Sequence, residues 1–282
     1  MPHADRNGLL LGRGRLFVEA GTLRFATVGF ADLDAGEYDI AFQGLSTVIL
    51  TPGTSVTHDA LRLLARHGVG LLAVGEGGVR FYAGMPFGPD DSRLARRQVE
   101  LWADKKTRID VAKKMYEMRM GETLPQGDLN ALRGIEGARA KAMYRNLAQQ
   151  YGIAWLGRRY DRADPLAADL PNQAINHAAT AIQGAAMVAT ASVGAVPQLG
   201  FIHEESGVAF CLDVADLFRD EVTLPVAFKA VKQVEASHHR LPVERCVRKL
   251  AGKAMRRQRV IPQMIDRIKE LLADADDGGG DP

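Results

Sequence analysis

The sequence lacks most of the features that would mark a secreted or membrane-bound protein. Its two cysteines, Cys211 and Cys246, are too few for a disulfide framework or a four-thiolate metal site, and they favour a reducing compartment, the cytoplasm. The N-terminal apolar run, Leu9 to Leu11, is too short for the core of a signal peptide. No stretch supplies the roughly 20 strongly apolar residues of a membrane span. We therefore expect no membrane partner.

Several catalytic motifs are also missing. The chain has no Gly-x-x-x-x-Gly-Lys-Ser/Thr loop, no Gly-x-Gly-x-x-Gly after a strand and no Gly-x-Ser-x-Gly elbow, which argues against nucleotide hydrolysis and serine acyl chemistry. His203-Glu204-Glu205 resembles the start of a zinc helix, but Gly207 stands where the second histidine would be required. Lys and Arg total 36 against 34 Asp and Glu, so a polyanion could be bound only by a local basic patch.

What is present predicts an α+β fold with two domains. With 282 residues, of which 46% are hydrophobic, the chain can fill a substantial core. Short runs rich in Val, Ile, Phe, Thr and Leu alternate with turn residues up to residue 83, interrupted by one helix that Thr57 can cap. We predict a β-rich domain over 1–83, a linker rich in Pro and Gly over 84–91, a helical domain over 92–275 and an acidic, Gly-rich tail over 276–282.

The helical region contains recognisable segments. Apolar spacing predicts one helix from Ser92 to about Met120, a second from Leu129 to Tyr151 and a third, alanine-rich helix from Asn172 to Val193. Small side chains allow close approach of neighbours, so we expect the third helix at the domain centre. Gly200 to His203 and Val208 to Leu212 could form a short β excursion.

Glu136 is the first candidate for chemistry. It shares a helical stripe with Leu132, Ala140 and other apolar residues, where a charge is costly. Gly134 and Gly137 flank it, each weakening the helix by about 1 kcal/mol, and such glycines usually permit close approach of a backbone or ligand. Glu136 is either a catalytic or ligand-binding residue or a glutamate favoured near a helix start.

His203 and a group of aspartates form the second candidate. Asp213, Asp216 and Asp220 would share one helical face, where their mutual repulsion must be offset by a helix dipole, solvent or a hard divalent cation. His203 could donate nitrogen to the same ion, which suits Mn²⁺ or Mg²⁺. The alternative is a capping aspartate beside a solvated face and a hydrogen-bonded histidine.

A basic patch is the third candidate. Eight basic residues against one acid, Glu244, lie between 240 and 259, which suits a phosphate backbone; they are Arg240, Arg245, Arg248, Lys249, Lys253, Arg256, Arg257 and Arg259. In the Ser92 to Met120 helix, acids are interspersed among the basic residues, Arg119 included, which favours a solvated, salt-bridged face there.

At these positions the sequence resembles the CRISPR-associated spacer-integration nucleases, the family numbered one among Cas proteins, and most closely their type I-E branch. The similarity covers nearly the whole chain and includes four blocks in the family's order: Leu132 to Gly137, Gly157 to Asp161, Gly200 to His203 and Asp213 to Asp216. The chain departs from the family in having Gln183 and Leu212 where tyrosines are frequent, and Ser206 in a segment that carries a lysine in relatives.

The resemblance implies an N-terminal β-sandwich that forms a homodimer and an all-helical catalytic domain. It implies a divalent metal, Mg²⁺ or Mn²⁺, held by Glu136, His203 and Asp216, with Asp213 beside it as a catalytic residue. It also implies double-stranded DNA as spacer donor and repeat target, with Arg80 near the DNA path. Arg245, Arg248, Arg256 and Arg257 of the basic patch would contact that DNA. A small second-numbered Cas protein would bridge two dimers.

The resemblance further implies a metal-dependent endonuclease and integrase, in which a 3′-hydroxyl attacks a repeat phosphodiester. Two other functions remain compatible with the residues themselves. One is a non-catalytic, DNA-binding architectural subunit in which the acidic residues are structural. The other is a metal-dependent phosphodiesterase that acts on small nucleotides.

Overall fold

A computed structural model describes residues 7–29, 33–84, 92–125, 129–159 and 168–273. The predicted linker beyond Gly84, Tyr160 and Asp161 of the second family block, and the acidic tail lie outside these residues. The predicted order is confirmed in outline: strands occupy the N-terminal part, and helices follow from Arg93 onward.

Eight strands of the described N-terminal part form two four-stranded sheets. They are β1 Asn7–Leu11, β2 Gly14–Glu19, β3 Thr22–Thr27, β4 Gly36–Asp39, β5 Leu45–Leu50, β6 Thr54–Val56, β7 Gly70–Val74 and β8 Phe81–Gly84. The first sheet has the order β1-β5-β7-β8, parallel except for β8. The second has the order β4-β3-β2-β6, with β6 parallel to β2.

The two sheets share one hydrophobic core. Leu16, Leu23 and Phe25 of the second sheet pack in one cluster with Val48 and Leu50 of the first. Helix α1 (His58–Arg66) contributes Ala60 and Leu64 to this cluster. The Thr57 hydroxyl caps the helix by accepting a hydrogen bond from Ala60 N, as the sequence predicts. Burial of these apolar side chains holds the two sheets together.

The C-terminal part consists of helices in the residues that the structure describes. They are α2 Arg93–Ala103, α3 Lys105–Met120, α4 Leu129–Gln150, α5 Leu170–Val193, α6 Ala209–Asp216, α7 Leu224–Ala236, α8 Val243–Arg257 and α9 Val260–Leu272, with a π turn over Arg219–Thr223. None of the helices in the described ranges is both long enough and apolar enough to cross a bilayer.

Two predictions for this part are wrong. The expected helix from Ser92 to Met120 breaks at Asp104, whose backbone is extended and whose carboxylate caps α3 by accepting a hydrogen bond from Thr107 N at 2.8 Å. The expected β excursion is absent as well: Gly200 to His203 form a loop without strand structure, and α6 begins at Ala209. Phe210 and Cys211 are buried in α6, so their apolar character reflects core packing rather than strand formation.

Helix α5 is central, as predicted, and it also joins the two parts of the molecule. Its Val188 packs against Ile49, Leu72 and Val74 of the first sheet. A Cβ atom at Gly184 would lie 3.0 Å from Arg80 Cα, so only glycine lets the chain before β8 come this close. This contact fixes Arg80 beside the helices.

Candidate active site

Four separate segments meet around one cavity of about 260 Å³. The cavity is lined by Glu136, His203, Asp213 and Asp216, the four residues singled out in the sequence, together with Met115, Tyr116, Arg119, Arg133, Ile202, Leu217 and Arg219. The lining residues come from α3, α4, the loop before α6, and α6 with the turn that follows it. The fold therefore brings together residues that are far apart in sequence.

Glu136 projects from α4 with a fifth of its side chain exposed, and its Oε1 lies 2.6 Å from Arg119 Nη1. Around Gly134 and Gly137, no described atom lies within 4 Å of an added Cβ position. Close packing of another backbone segment among the described residues therefore does not explain these glycines, and α4 is open beside the carboxylate.

Arg119 corrects the sequence-based interpretation of α3 as a solvated face. Its side chain is only 4% exposed. It forms a bidentate salt bridge with Asp220, in which Nε donates to Oδ2 at 3.1 Å and Nη2 donates to Oδ1 at 3.2 Å. Burial lowers the pKa of Arg119, but the hydrogen bonds and charges of its acidic partners outweigh that effect and raise it above its ordinary value. The guanidinium remains charged.

Asp213 is fully buried and holds the loop that carries His203. Its Oδ2 accepts hydrogen bonds from Phe201 N at 2.6 Å and Ile202 N at 3.0 Å. Its Oδ1 accepts one from His203 N at 3.0 Å and lies 2.6 Å from His203 Nδ1. Both oxygens are therefore committed to the loop, and Asp213 orients the imidazole.

The imidazole of His203 is 39% exposed and borders the cavity. The hydrogen bond with Asp213 raises the pKa of His203, although partial burial opposes the shift. Since Nδ1 faces a carboxylate, we assign the proton to Nδ1, and Nε2 has no hydrogen-bond partner among the described residues.

Asp216 lies at the end of α6 and is a quarter exposed, with its Oδ1 2.5 Å from Arg219 Nη2. Burial raises the pKa of Asp216, and the charges of Arg219, His203 and Arg119 oppose that shift. The aspartate repulsion expected from the sequence is thus offset by two arginines and by backbone amides. The sequence contained a signal for the Asp216–Arg219 ion pair, because side chains three residues apart lie close together on a helix.

The donor atoms suit a divalent cation, although the described residues contain no ready-made group of three His, Cys, Asp or Glu side chains that could hold a metal. Each carboxylate has one oxygen, Oε2 of Glu136 and Oδ2 of Asp216, without a hydrogen-bond partner among the described residues. Glu136, Asp216 and His203 line the same cavity, and carboxylate oxygen and imidazole nitrogen are donor types that Mg²⁺ or Mn²⁺ accepts. The Asp213–His203 contact matches the carboxylate–histidine pairs that orient metal ligands.

Sequence reasoning missed two residues that support the same loop. Gln98 is fully buried, donates to Val196 O and Leu199 O at 2.9 Å each, and accepts from Val196 N at 2.7 Å. Trp102 Nε1 donates to Gly200 O at 2.9 Å. A polar glutamine in the apolar stripe of α2 was the available signal, because a buried amide must find partners.

The basic patch forms a separate surface along α8. Arg245, Arg248, Arg256 and Arg257 are exposed there. Arg80 directly precedes β8, and its Nη2 lies 2.8 Å from Glu244 Oε1 in the first turn of α8. Arg80 and Arg248 also line a small shared groove of about 30 Å³. The structure therefore brings Arg80 to the basic helix, outside the group that lines the cavity of Glu136 and His203.

A protein-family model matches most of the chain. The family model described as "CRISPR associated protein Cas1" matches residues 14–124 and 119–254. A CRISPR-associated endonuclease of Thermus thermophilus is 36% identical over 93% of this chain and 79% of its own length. The corresponding protein of Escherichia coli K12 is 36% identical over 81% of this chain and 74% of its own length.

Solved structures agree with this comparison. The crystal structure of a TtCas1–DNA complex superposes with a TM-score of 0.84 at 32% identity, covering 95% of this chain and 97% of that one. A casposase bound to integration product has a TM-score of 0.66 at 16% identity, covers 95% of this chain and 96% of its own, and shows similarity of fold alone.

The Asp213–His203 contact predicts a pH effect. In the metal-free protein, we expect His203 to titrate above its ordinary pKa of 6.5, and the substitution Asp213→Asn to lower that pKa because the negative charge is lost. The charged pair stabilises the fold fully below pH 6.5, and this contribution disappears as the pH rises through the raised folded-state pKa. NMR titration of the His203 ring in the wild type and in Asp213→Asn measures the shift. Equal His203 titration curves in both proteins would contradict this role of Asp213.

Proposed function

Because this chain belongs to the Cas1 family of CRISPR-associated proteins, we propose that it is a metal-dependent DNA endonuclease and integrase of CRISPR adaptation. Its substrates are the double-stranded spacer donor and the repeat target, and it acts in the cytoplasm. The observation that carries this proposal is the convergence of Glu136, His203, Asp213 and Asp216 on one cavity. In the family resemblance these residues are the catalytic group.

The side chains divide the work. Glu136, His203 and Asp216 would hold the divalent cation, Mg²⁺ or Mn²⁺, through the oxygens and nitrogen that protein partners leave available. Asp213 keeps His203 in the orientation and tautomer that this requires. When bound, the cation stabilises charge on the reacting phosphate and helps to generate the nucleophile.

The reaction is a transesterification. The donor 3′-hydroxyl forms a bond to phosphorus in the repeat as the bond from phosphorus to the repeat 3′-oxygen breaks. One phosphodiester replaces another, so no nucleotide is consumed, which agrees with the missing phosphate-binding loops.

We predict that alanine at Glu136, His203 or Asp216 abolishes strand transfer but leaves much of the DNA binding intact, because the basic surface lies apart from the cavity. The assay combines donor duplex, repeat target, Mn²⁺ or Mg²⁺ and the small partner protein. Glu235→Ala, which removes an exposed carboxylate of α7, is the control. Strand transfer that survives all three substitutions would contradict this assignment of the catalytic group. DNA binding by the wild type without any strand transfer would favour the non-catalytic architectural subunit, and cleavage of soluble nucleotides without DNA activity would favour the small-molecule phosphodiesterase.

The exposed side of α8 supplies the DNA contact in this proposal. Its arginines, with Arg80 alongside, face phosphates that carry no sequence information, so they position DNA without choosing a sequence. The relative solved in complex with DNA supports a DNA partner for this chain.

Neutralising Arg248, Arg256 and Arg257 should weaken DNA binding for every sequence and flatten its salt dependence by roughly 0.9 per lost phosphate contact. Fluorescence anisotropy with unrelated duplexes across a salt series measures both effects. Arg62→Gln, at an exposed arginine of α1, provides a variant with one charge removed elsewhere. A slope equal to that of the wild type would remove α8 from the DNA path.

The assembly is proposed from the chemistry of integration. Inserting a duplex segment requires two attacks on opposite strands, so two catalytic subunits are the minimum. We assign the homodimer contact to the β-sandwich domain over 1–83, with 84–91 as linker, 92–275 as catalytic domain and 276–282 as tail. The small second-numbered Cas protein bridges two dimers, and the four sequence blocks favour the type I-E branch.

Light scattering at micromolar concentration should give about twice the chain mass of 30.6 kDa. Since each active site joins one donor end, a stable monomer that neither DNA nor the partner protein alters would contradict two-ended integration.

A further inference from the structure

Arg119 connects three elements at the cavity that Glu136, Asp213 and Asp216 line. It projects from α3, contacts Glu136 of α4 through Nη1, and contacts Asp220 of the π turn through Nε and Nη2. The π turn directly follows the segment that carries Asp216 and Arg219. One side chain thus links the helix of Glu136 to the segment of Asp216.

The chemistry of this contact requires arginine. A guanidinium is planar and offers donors in a fixed fork, so it can serve two carboxylates at once in set directions. Lysine carries the same charge on one flexible ammonium group and cannot reproduce the fork. Because Arg119 is 4% exposed while Glu136 and Asp220 are 20% and 16% exposed, little water is available to replace these contacts.

The contact also determines which oxygen of Glu136 is available. Arg119 Nη1 occupies Oε1 at 2.6 Å, and among the described residues Oε2 has no hydrogen-bond partner. The carboxylate is therefore held by one oxygen and presents the other. Asp216 is arranged in the same way by Arg219.

We propose that Arg119 is a positioning residue that fixes Glu136 relative to Asp216 so that their remaining oxygens can bind one divalent cation. This inference rests on the proposed metal-dependent function. In this inference Arg119 acts on the cation through its contacts with Glu136 and the Asp220 turn.

A purely electrostatic role makes the opposite prediction. If only the positive charge of Arg119 mattered, lysine would substitute for it without effect on cation binding. If geometry matters, Arg119→Lys weakens cation binding although the net charge of the site is unchanged. Asp220→Glu tests the other end of the bridge, because it also preserves charge while displacing the carboxylate.

The experiment is a titration of metal-free protein with Mn²⁺. Electron paramagnetic resonance measures the concentration of free Mn²⁺ at each point of the titration. We expect Arg119→Lys and Asp220→Glu to weaken Mn²⁺ binding by about tenfold or more, as changes to the partners of metal ligands typically do. The matched control is Arg139→Lys, because Arg139 of α4 forms an exposed ion pair with Glu122 and should bind Mn²⁺ like the wild type.

Circular dichroism establishes which variants fold, and Asp220→Glu decides the matter if Arg119→Lys does not fold. Wild-type Mn²⁺ affinity in the folded test variant would overturn the positioning role of Arg119 while leaving the metal proposal intact. A wild-type protein that binds no Mn²⁺ would instead overturn the metal-dependent function, and this inference with it.

Discussion

Four carboxylates, Glu136, Asp213, Asp216 and Asp220, lie close together in the helical part, and their mutual repulsion must be compensated inside the protein. Each carboxylate has its own partner. Arg119 forms ion pairs with Glu136 and Asp220, Arg219 forms one with Asp216, and backbone amides donate hydrogen bonds to Asp213. An unpaired buried charge would cost several kcal/mol. The local architecture of α3, α4 and the α6 region depends on meeting this constraint.

In the proposed function, the same contacts also prepare the site for chemistry. Asp213 uses both oxygens to shape the loop from Phe201 to His203, and Gln98 and Trp102 fix the segment just before it. The loop that carries the imidazole is thereby anchored to the packed helices α2 and α6. A site whose groups are fixed by such neighbours needs little reorganisation when charge develops in a reaction.

Contact between the sheets and helices also determines where Arg80 lies. Gly184 of α5 admits the backbone at Arg80, and Arg80 then pairs with Glu244 at the start of α8. A residue of the strand-rich part is thereby placed beside the basic helix. In the proposed function, both parts of the chain contribute to one surface for DNA.

The sequence by itself determined the α+β order, the burial of α5 and Glu136 as a candidate, because periodicity and composition are local properties. The family resemblance could also be recognised from sequence, because it rests on blocks of residues and their order along the chain. Only the tertiary structure decided that α3 buries Arg119, because Asp220, 101 residues further along the chain, compensates its charge. Only packing against other helices, chiefly α5, decided that the 209–216 segment is a buried helix. Asp213 could be recognised from sequence as an acid, but its four contacts with a loop ten or more residues earlier exist only after folding.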